Sequence, residues 1–357
     1  MYIKTLTCNH FRNLANTTLT FHPQGNWIYG LNGSGKTAFI EMLYLLGRGK
    51  SFRTNQTKTL ITHTQPYLRL IAQIHKNQQP HLLGIEKTPQ QHTQRLNGEP
   101  FHGLSKLAQL TPICLLNNTN FALLDQGPEQ RRKFIDFGVF YADPQFFPQW
   151  QRYQYALKNR NAALKQQWAD NLILPWQQLL SDSAKHIDTM RQHYLARLEN
   201  ALNHYHAQLG GLEPIRLVYH RGWQAHTSLA NVLQHHLERD KLLKHTRDGI
   251  HRAELRFYAN EQDITQYFSR GQQKTLLSAL ILAQASLIAQ DSGTHPIMLI
   301  DDLSAELDFK RQKLLLSFII QSATQWFITS INAPSEDLIP SNSQIFYLEN
   351  GHFNRKD

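Results

Sequence analysis

The chain has 357 residues, a formal net charge of +10 and two cysteines, Cys8 and Cys114, far apart in sequence. That length supports a large core and two packed units, while the cysteine count excludes a disulfide framework and a zinc cluster and fits a reducing cytosol. The positive surplus points to a polyanionic partner, and the start, Met1-Tyr2-Ile3-Lys4-Thr5, has no signal-peptide core, so a cytoplasmic protein is expected.

In chain order, alternating residues predict strands at Tyr2–Leu6, Thr18–Phe21, Tyr67–Ile74 and His81–Ile85, with a turn at Asn97-Gly98. Together they form an antiparallel sheet. The short apolar run Asn26–Tyr29 reads as a buried strand. A phosphate-binding loop follows at once: Gly30-Leu31-Asn32-Gly33-Ser34-Gly35-Lys36-Thr37. Glycines let the backbone curl with its N–H groups inward, and the helix start adds unpaired donors and partial positive charge. Lys36 is expected to reach the β- and γ-phosphates of ATP, and the Thr37 hydroxyl to ligate Mg²⁺. Phe39, Met42, Leu43 and Leu46 recur at helical spacing, so a helix runs from about residue 36 to 46.

The middle of the chain is helical in character. Pro128 opens one helix. Trp150, Tyr153, Leu157 and Leu164 mark a second, and a stripe from Leu180 to Leu202 marks a third that begins near Pro175. Ser269 then stands as a natural N-cap before an apolar helix. Its most apolar part, Leu276–Ile288, is interrupted by Ser278, Gln284 and Ser286 and reads as a buried helix rather than a membrane span. The run Ile297–Ile300 ends in Asp301 and Asp302, and Trp326–Ser330 forms a last apolar strand.

These late motifs resemble those of ATP-binding-cassette ATPases. By that resemblance Asp301 holds the Mg²⁺ shell and Asp302 stands where a carboxylate orients the attacking water. Ser269, Gly271 and Gln272 would bind the γ-phosphate held by a second protomer, an anion at a helix N-terminus supplied in trans. Lys36, Asp301 and Asp302 are thus the expected catalytic groups. Where many such proteins carry a histidine after the last strand, this chain has Thr329 and Ser330, either of which is expected to make a weaker phosphate contact. With nucleotide motifs at both ends and helices between, this resemblance implies an α/β fold: an ABC-type P-loop ATPase head (1–115 and 250–357) with a mostly parallel central sheet and a small antiparallel one, and an inserted mainly helical lobe (116–249).

The whole set in order resembles one family, the bacterial recombination proteins of the RecF type. The residues that carry it are Phe11-Arg12-Asn13-Leu14, the phosphate loop, Gly47-Arg48-Gly49-Lys50-Ser51-Phe52-Arg53, Gly127-Pro128 with Arg131-Arg132, Lys158-Asn159-Arg160-Asn161, Ser269-Arg270-Gly271-Gln272, Asp301-Asp302 and Ser304-Ala305-Glu306-Leu307-Asp308. The resemblance implies ATP-dependent homodimerisation on DNA, repair of single-strand gaps with RecO and RecR, loading of the RecA recombinase, and weak ATP hydrolysis as a switch. Two segments depart from the family pattern, Asn117–Asn120 and Gly249-Ile250-His251-Arg252. Candidate phosphate contacts on duplex DNA are Arg48, Lys50, Arg53, Lys158 and Arg160. Two competing readings share parts of the motif set: the ATPase subunit of a membrane transporter, and a metabolic P-loop kinase that would have no use for Ser269.

Overall fold

The computed structural model describes residues 1–303, 308–322, 325–340 and 342–356. The chain divides into two compact units: Met1–Asn120, Gln208–Gly211 and Arg270–Asp357 form the first, Phe121–Ala207 and Leu212–Ser269 the second.

The first unit holds two sheets. One is antiparallel and contains β1 (Tyr2–Asn9), β2 (Thr17–Thr20), β4 (Leu68–Lys76), β5 (Gln79–Lys87), β6 (His92–Leu96) and β7 (Glu99–Pro100), in the order β2-β1-β4-β5-β6-β7. Asn97-Gly98 makes the turn between β6 and β7, with both residues at positive φ. The second sheet contains β3 (Gly25–Tyr29), β8 (Ile113–Leu116), β12 (Ile297–Ile300), β13 (Trp326–Ser330), β14 (Ser343–Glu349) and β15 (His352–Lys356). Its order is β15-β14-β3-β13-β12-β8, parallel throughout except for the β14–β15 edge. Every residue of β8, β12 and β13 is buried, which is why these strands read as unbroken apolar runs and not as alternations.

Among the described residues, this unit also contains the helices α1 (Lys36–Arg48), α2 (Leu104–Leu110), α10 (Arg270–Ser292) and α11 (Phe309–Ser322). Phe21, Phe39 and Phe327 meet edge to face in its core. The helix α10 is long and apolar enough by composition to cross a membrane, yet 72% of its most apolar window is buried inside the protein. It packs on β8 and α11 as a core helix.

The second unit is built on α4 (Pro128–Ala142), α5 (Phe146–Lys165) and the 39-residue α6 (Asp170–Gln208). Shorter helices are α3 (Ala122–Asp125), α7 (Leu229–His235), α8 (Leu237–Leu243) and α9 (Ile264–Tyr267). Leu180, Ala184, Ile187, Tyr194, Leu198 and Leu202 lie along the buried face of α6, as the stripe predicts. The helix starts at Asp170, ahead of Pro175, which sits inside it near the start where one backbone hydrogen bond is forgone. This unit also contains a sheet the periodicity did not reveal: β9 (Ile215–His220), β10 (Glu254–Ala259) and β11 (Gln262–Asp263), in the antiparallel order β11-β10-β9. Six register pairs between β9 and β10 keep residues 254–259 in this unit, so, apart from Gln208–Gly211, the chain returns to the first unit at Arg270 rather than near residue 250.

Candidate functional site

Strand β3 runs out at Tyr29 directly into the phosphate loop, and α1 starts at Lys36. Gly30 is buried there, and a Cβ on it would lie 2.1 Å from the carbonyl oxygen of Leu348, so the close approach of β14 demands glycine. Gly33 and Gly35 have φ of +83° and +116°, the region L side chains avoid. Leu31, Asn32 and Gly33 are exposed, whereas Ser34 is buried and its Oγ has no hydrogen-bond partner among the described residues. No side chain caps α1. An uncapped helix start, a glycine cradle and an orphaned buried hydroxyl together fit an anion with several oxygens.

Lys36 is buried and its Nζ donates to the carbonyls of Gly30 (2.6 Å) and Leu31 (3.0 Å). Burial draws its pKa below the ordinary lysine value, and Asp302 and Asp301 draw it back. Asp301 and Asp302 follow β12, two strands from β3 with β13 between. The Thr329 hydroxyl donates to Asp301 Oδ1 (2.9 Å), and its Oγ1 accepts from the Asp302 N–H (2.8 Å). Burial pushes the Asp301 carboxyl up, opposed by hydrogen bonds from Thr329 and Thr37. Asp302 has φ +60°, so its side chain leaves the strand in a left-handed turn that the Thr329 bond holds in place. Thr37 and Asp301 supply two hard oxygens side by side. Mg²⁺ is ordinarily held by one or two protein oxygens of this kind together with phosphate and water, so the donor set fits it.

These groups line one cavity of about 550 Å³, whose wall includes Arg12, Asn13, Asn32, Gly33, Lys36, Thr37, Arg53, Asp301 and Asp302. The motifs alone did not assign Arg12 or Asn13 to this wall. Asn13 Nδ2 donates to the Gly33 carbonyl (3.2 Å), bracing the loop from outside. Arg12 grips Glu41 through two nitrogens, and the Ser51 hydroxyl donates to the same carboxylate. Glu41 is fully buried on α1, and Arg53 stands 3.9 Å from it. An acid in the buried face of an apolar helix, one turn past the loop lysine, was the available signal.

Several expectations change. Thr329 is fully buried and committed to the acid pair, and Ser330 accepts from Trp27 Nε1 (2.7 Å) and donates to the Asn332 carbonyl (2.6 Å). Neither hydroxyl is available to phosphate in this arrangement. Arg160 is fully buried, with Nη1 on Asp240 (2.8 Å) and Thr246 (2.6 Å), so it is a core ion pair and not a contact for DNA. Arg53 lies on the wall of the nucleotide-sized cavity. Arg48 is half-buried over the ring of Tyr44, while Lys50 and Lys158 are exposed.

Ser269, Gly271 and Gln272 are exposed around the start of α10, and neither Gly271 nor Gln272 lines the cavity. Residues 304–307 of the acidic loop after Asp302 lie outside the described residues. Asn117, in one departing segment, is buried and closes a turn after β8: its side chain accepts from Thr119 N–H (3.0 Å) and its own N–H donates to Asn120 (2.7 Å). In the other, His251 bonds Tyr153 and the Thr246 carbonyl.

Comparison with known proteins adds an independent finding. Residues 2–354 match the model of the RecF/RecN/SMC N terminal domain. The chain is 35% identical over 353 residues to the DNA replication and repair protein RecF of Shigella flexneri, covering 98% of this chain and 99% of that protein. The RecF of an Escherichia coli O1:K1 strain matches to the same extent. Among solved structures, the recombination mediator RecF with ATP superposes with a TM-score of 0.89 at 23% identity, over 100% of this chain and 98% of that one. The Smc head bound to the C-terminal winged-helix domain of ScpA superposes with a TM-score of 0.60 at 16% identity, over 100% and 97%.

Proposed function

The chain belongs to the RecF/RecN/SMC family, as a RecF-type DNA replication and repair protein, and from that premise we propose that it is an ATP-driven DNA switch. One observation carries the reading. The phosphate loop after β3 and the acid pair after β12, with Thr329 of β13 between them, converge at the carboxyl ends of neighbouring parallel strands, around a single cavity.

In this reading the backbone N–H groups of the loop and Lys36 receive the β- and γ-phosphates. Thr37 and Asp301 hold Mg²⁺, which supplies charge neutralisation at the transferring phosphoryl group. Thr329 fixes both aspartates, so Asp302 presents its carboxylate to a water in line with the γ-phosphate. The site is half complete in one copy. Ser269, Gly271 and Gln272 of a second protomer close over the triphosphate, making a homodimer whose two composite sites open when ATP is spent. Asp302 is one methylene shorter than glutamate, and the hydroxyls of Thr329 and Ser330 point elsewhere, so hydrolysis is slow and DNA-dependent: a timer rather than a motor. Lys50 and Lys158 contact duplex phosphates when two heads close. The role that follows is to mark gaps and junctions in DNA, and with RecO and RecR to help load RecA during repair, replication-fork maintenance and the SOS response.

Mixing two inactive proteins tests the shared site. Lys36→Ala and Ser269→Arg each abolish hydrolysis alone. In heterodimers one composite site regains intact residues from both copies, so ATPase activity returns to a measurable fraction of wild type. Heterodimers that form, as seen by co-purification of differently tagged copies, and stay inactive would refute sharing.

A further inference from the structure

At the end of the second unit where α5 turns into α6, large apolar side chains stand in solvent. Trp168 is 40% exposed, Leu172 52%, Leu242 83% and Leu243 42%. Lys241 Nζ pairs with Asp170, which ties the later part of α8 to the first residue of α6 and brings these side chains to one end. Beneath them Ala163, Leu164, Ile173 and Leu237 form a small separate core. Trp168 is held in place: its N–H donates to the Ala163 carbonyl (3.1 Å) and its indole Nε1 to Gln166 (2.9 Å). Scattered exposed leucines are ordinary, but four large apolar residues within two positions of one ion pair form a patch.

Its charge is one-sided. Every acid here is already paired: Asp170 and Glu238 with Lys241, Asp240 with Arg160 and Arg239, Asp248 with Arg239 and His236. Lys165, Lys244 and Arg247 are exposed and have no acidic partner among the described residues. The apolar surface is therefore flanked by uncompensated positive charge.

We propose that this end of the second unit is a docking surface for an acidic, amphipathic segment of a partner protein. Leucine or aromatic side chains of that segment bury against Trp168, Leu172, Leu242 and Leu243. Its aspartates and glutamates pair with Lys165, Lys244 and Arg247, which steers the encounter and selects against basic segments. Duplex DNA would be drawn by the charge but gains nothing from three leucines on the same face. A second copy would bring a like-charged patch. The inference rests on the second unit alone and is independent of how the nucleotide site works.

A peptide array spanning many combinations of charge and apolar content, probed with the full chain, tests it. Retained peptides should combine leucine or phenylalanine with aspartate or glutamate. Leu172→Ser with Leu242→Ser should cut that binding about tenfold or more, roughly the truncation of a hot-spot residue. Lys165→Glu should do so separately. All three positions are exposed, so an unchanged urea midpoint is expected. Binding that is indifferent to peptide charge, or equal in wild type and variants, overturns the proposal. So does a result in which the variants lose duplex DNA binding or change self-association instead, which would give the face to DNA or to a second copy.

Discussion

Thr329 shows how much of the site rests on one hydroxyl. It donates to Asp301 and accepts from the N–H of Asp302, both from a fully buried position. Thr329→Val keeps the shape and orphans both partners, so urea unfolding should show a loss of about 1–3 kcal/mol. Hydrolysis should fall more than ATP affinity, because the phosphate loop is untouched while the acid pair is released; equal losses in kcat and in affinity would contradict this. His251 carries a pH dependence. With Nε2 donating to the Thr246 carbonyl, Nδ1 accepts from Tyr153, so the neutral ring satisfies every partner. Burial pushes its pKa from 6.5 down to about 4. Above the ordinary value neither folded nor unfolded chain binds the proton. Below it the unfolded chain does and the folded one does not, so stability falls with acidification by up to about 3 kcal/mol. Urea midpoints taken between about pH 7.5 and about pH 4.5 should show this fall, and His251→Gln should flatten it. The loop glycines, Lys36 and the two aspartates were legible in the sequence because fixed spacing carries their chemistry. The grip of Arg12 on Glu41 was not, since the two residues read as unrelated until the fold brings them together.

At the scale of elements, the long helices were legible because their apolar residues repeat every three or four positions. The β9–β10 pair was not. β9 has a burial pattern with one buried residue in six, and its charged and aromatic side chains carry no clean alternation. Arg160 illustrates the same limit. On an amphipathic helix with exposed Lys158 it reads as surface charge, yet it points inward to Asp240 of α8. Because both partners are fully buried, Arg160→Ala leaves the Asp240 carboxylate in the core with only the half-exposed Arg239 beside it and should cost up to about 3–5 kcal/mol in urea unfolding. The paired change Arg160→Met with Asp240→Leu should recover most of that loss. Recovery would show the pair to be structural. If the paired variant remained as unstable as Arg160→Ala, the remaining hydrogen bond of Arg160 to Thr246 would be the dominant contact.

For the molecule as a whole, the order β15-β14-β3-β13-β12-β8 has a temporal meaning. The strand that launches the phosphate loop precedes the helical insertion, but both of its neighbours, β13 and β14, are written only after it. On a ribosome, β3 must wait unpaired while the helical insertion, whose contacts are mostly its own, has every opportunity to settle. Nascent chains arrested before Trp326 should therefore fail to be retained on ATP-agarose, and release of the complete polypeptide should restore capture. A product cut short ahead of β13 is thus expected to be born without a grip on its fuel, and so harmless to the cell's store of ATP.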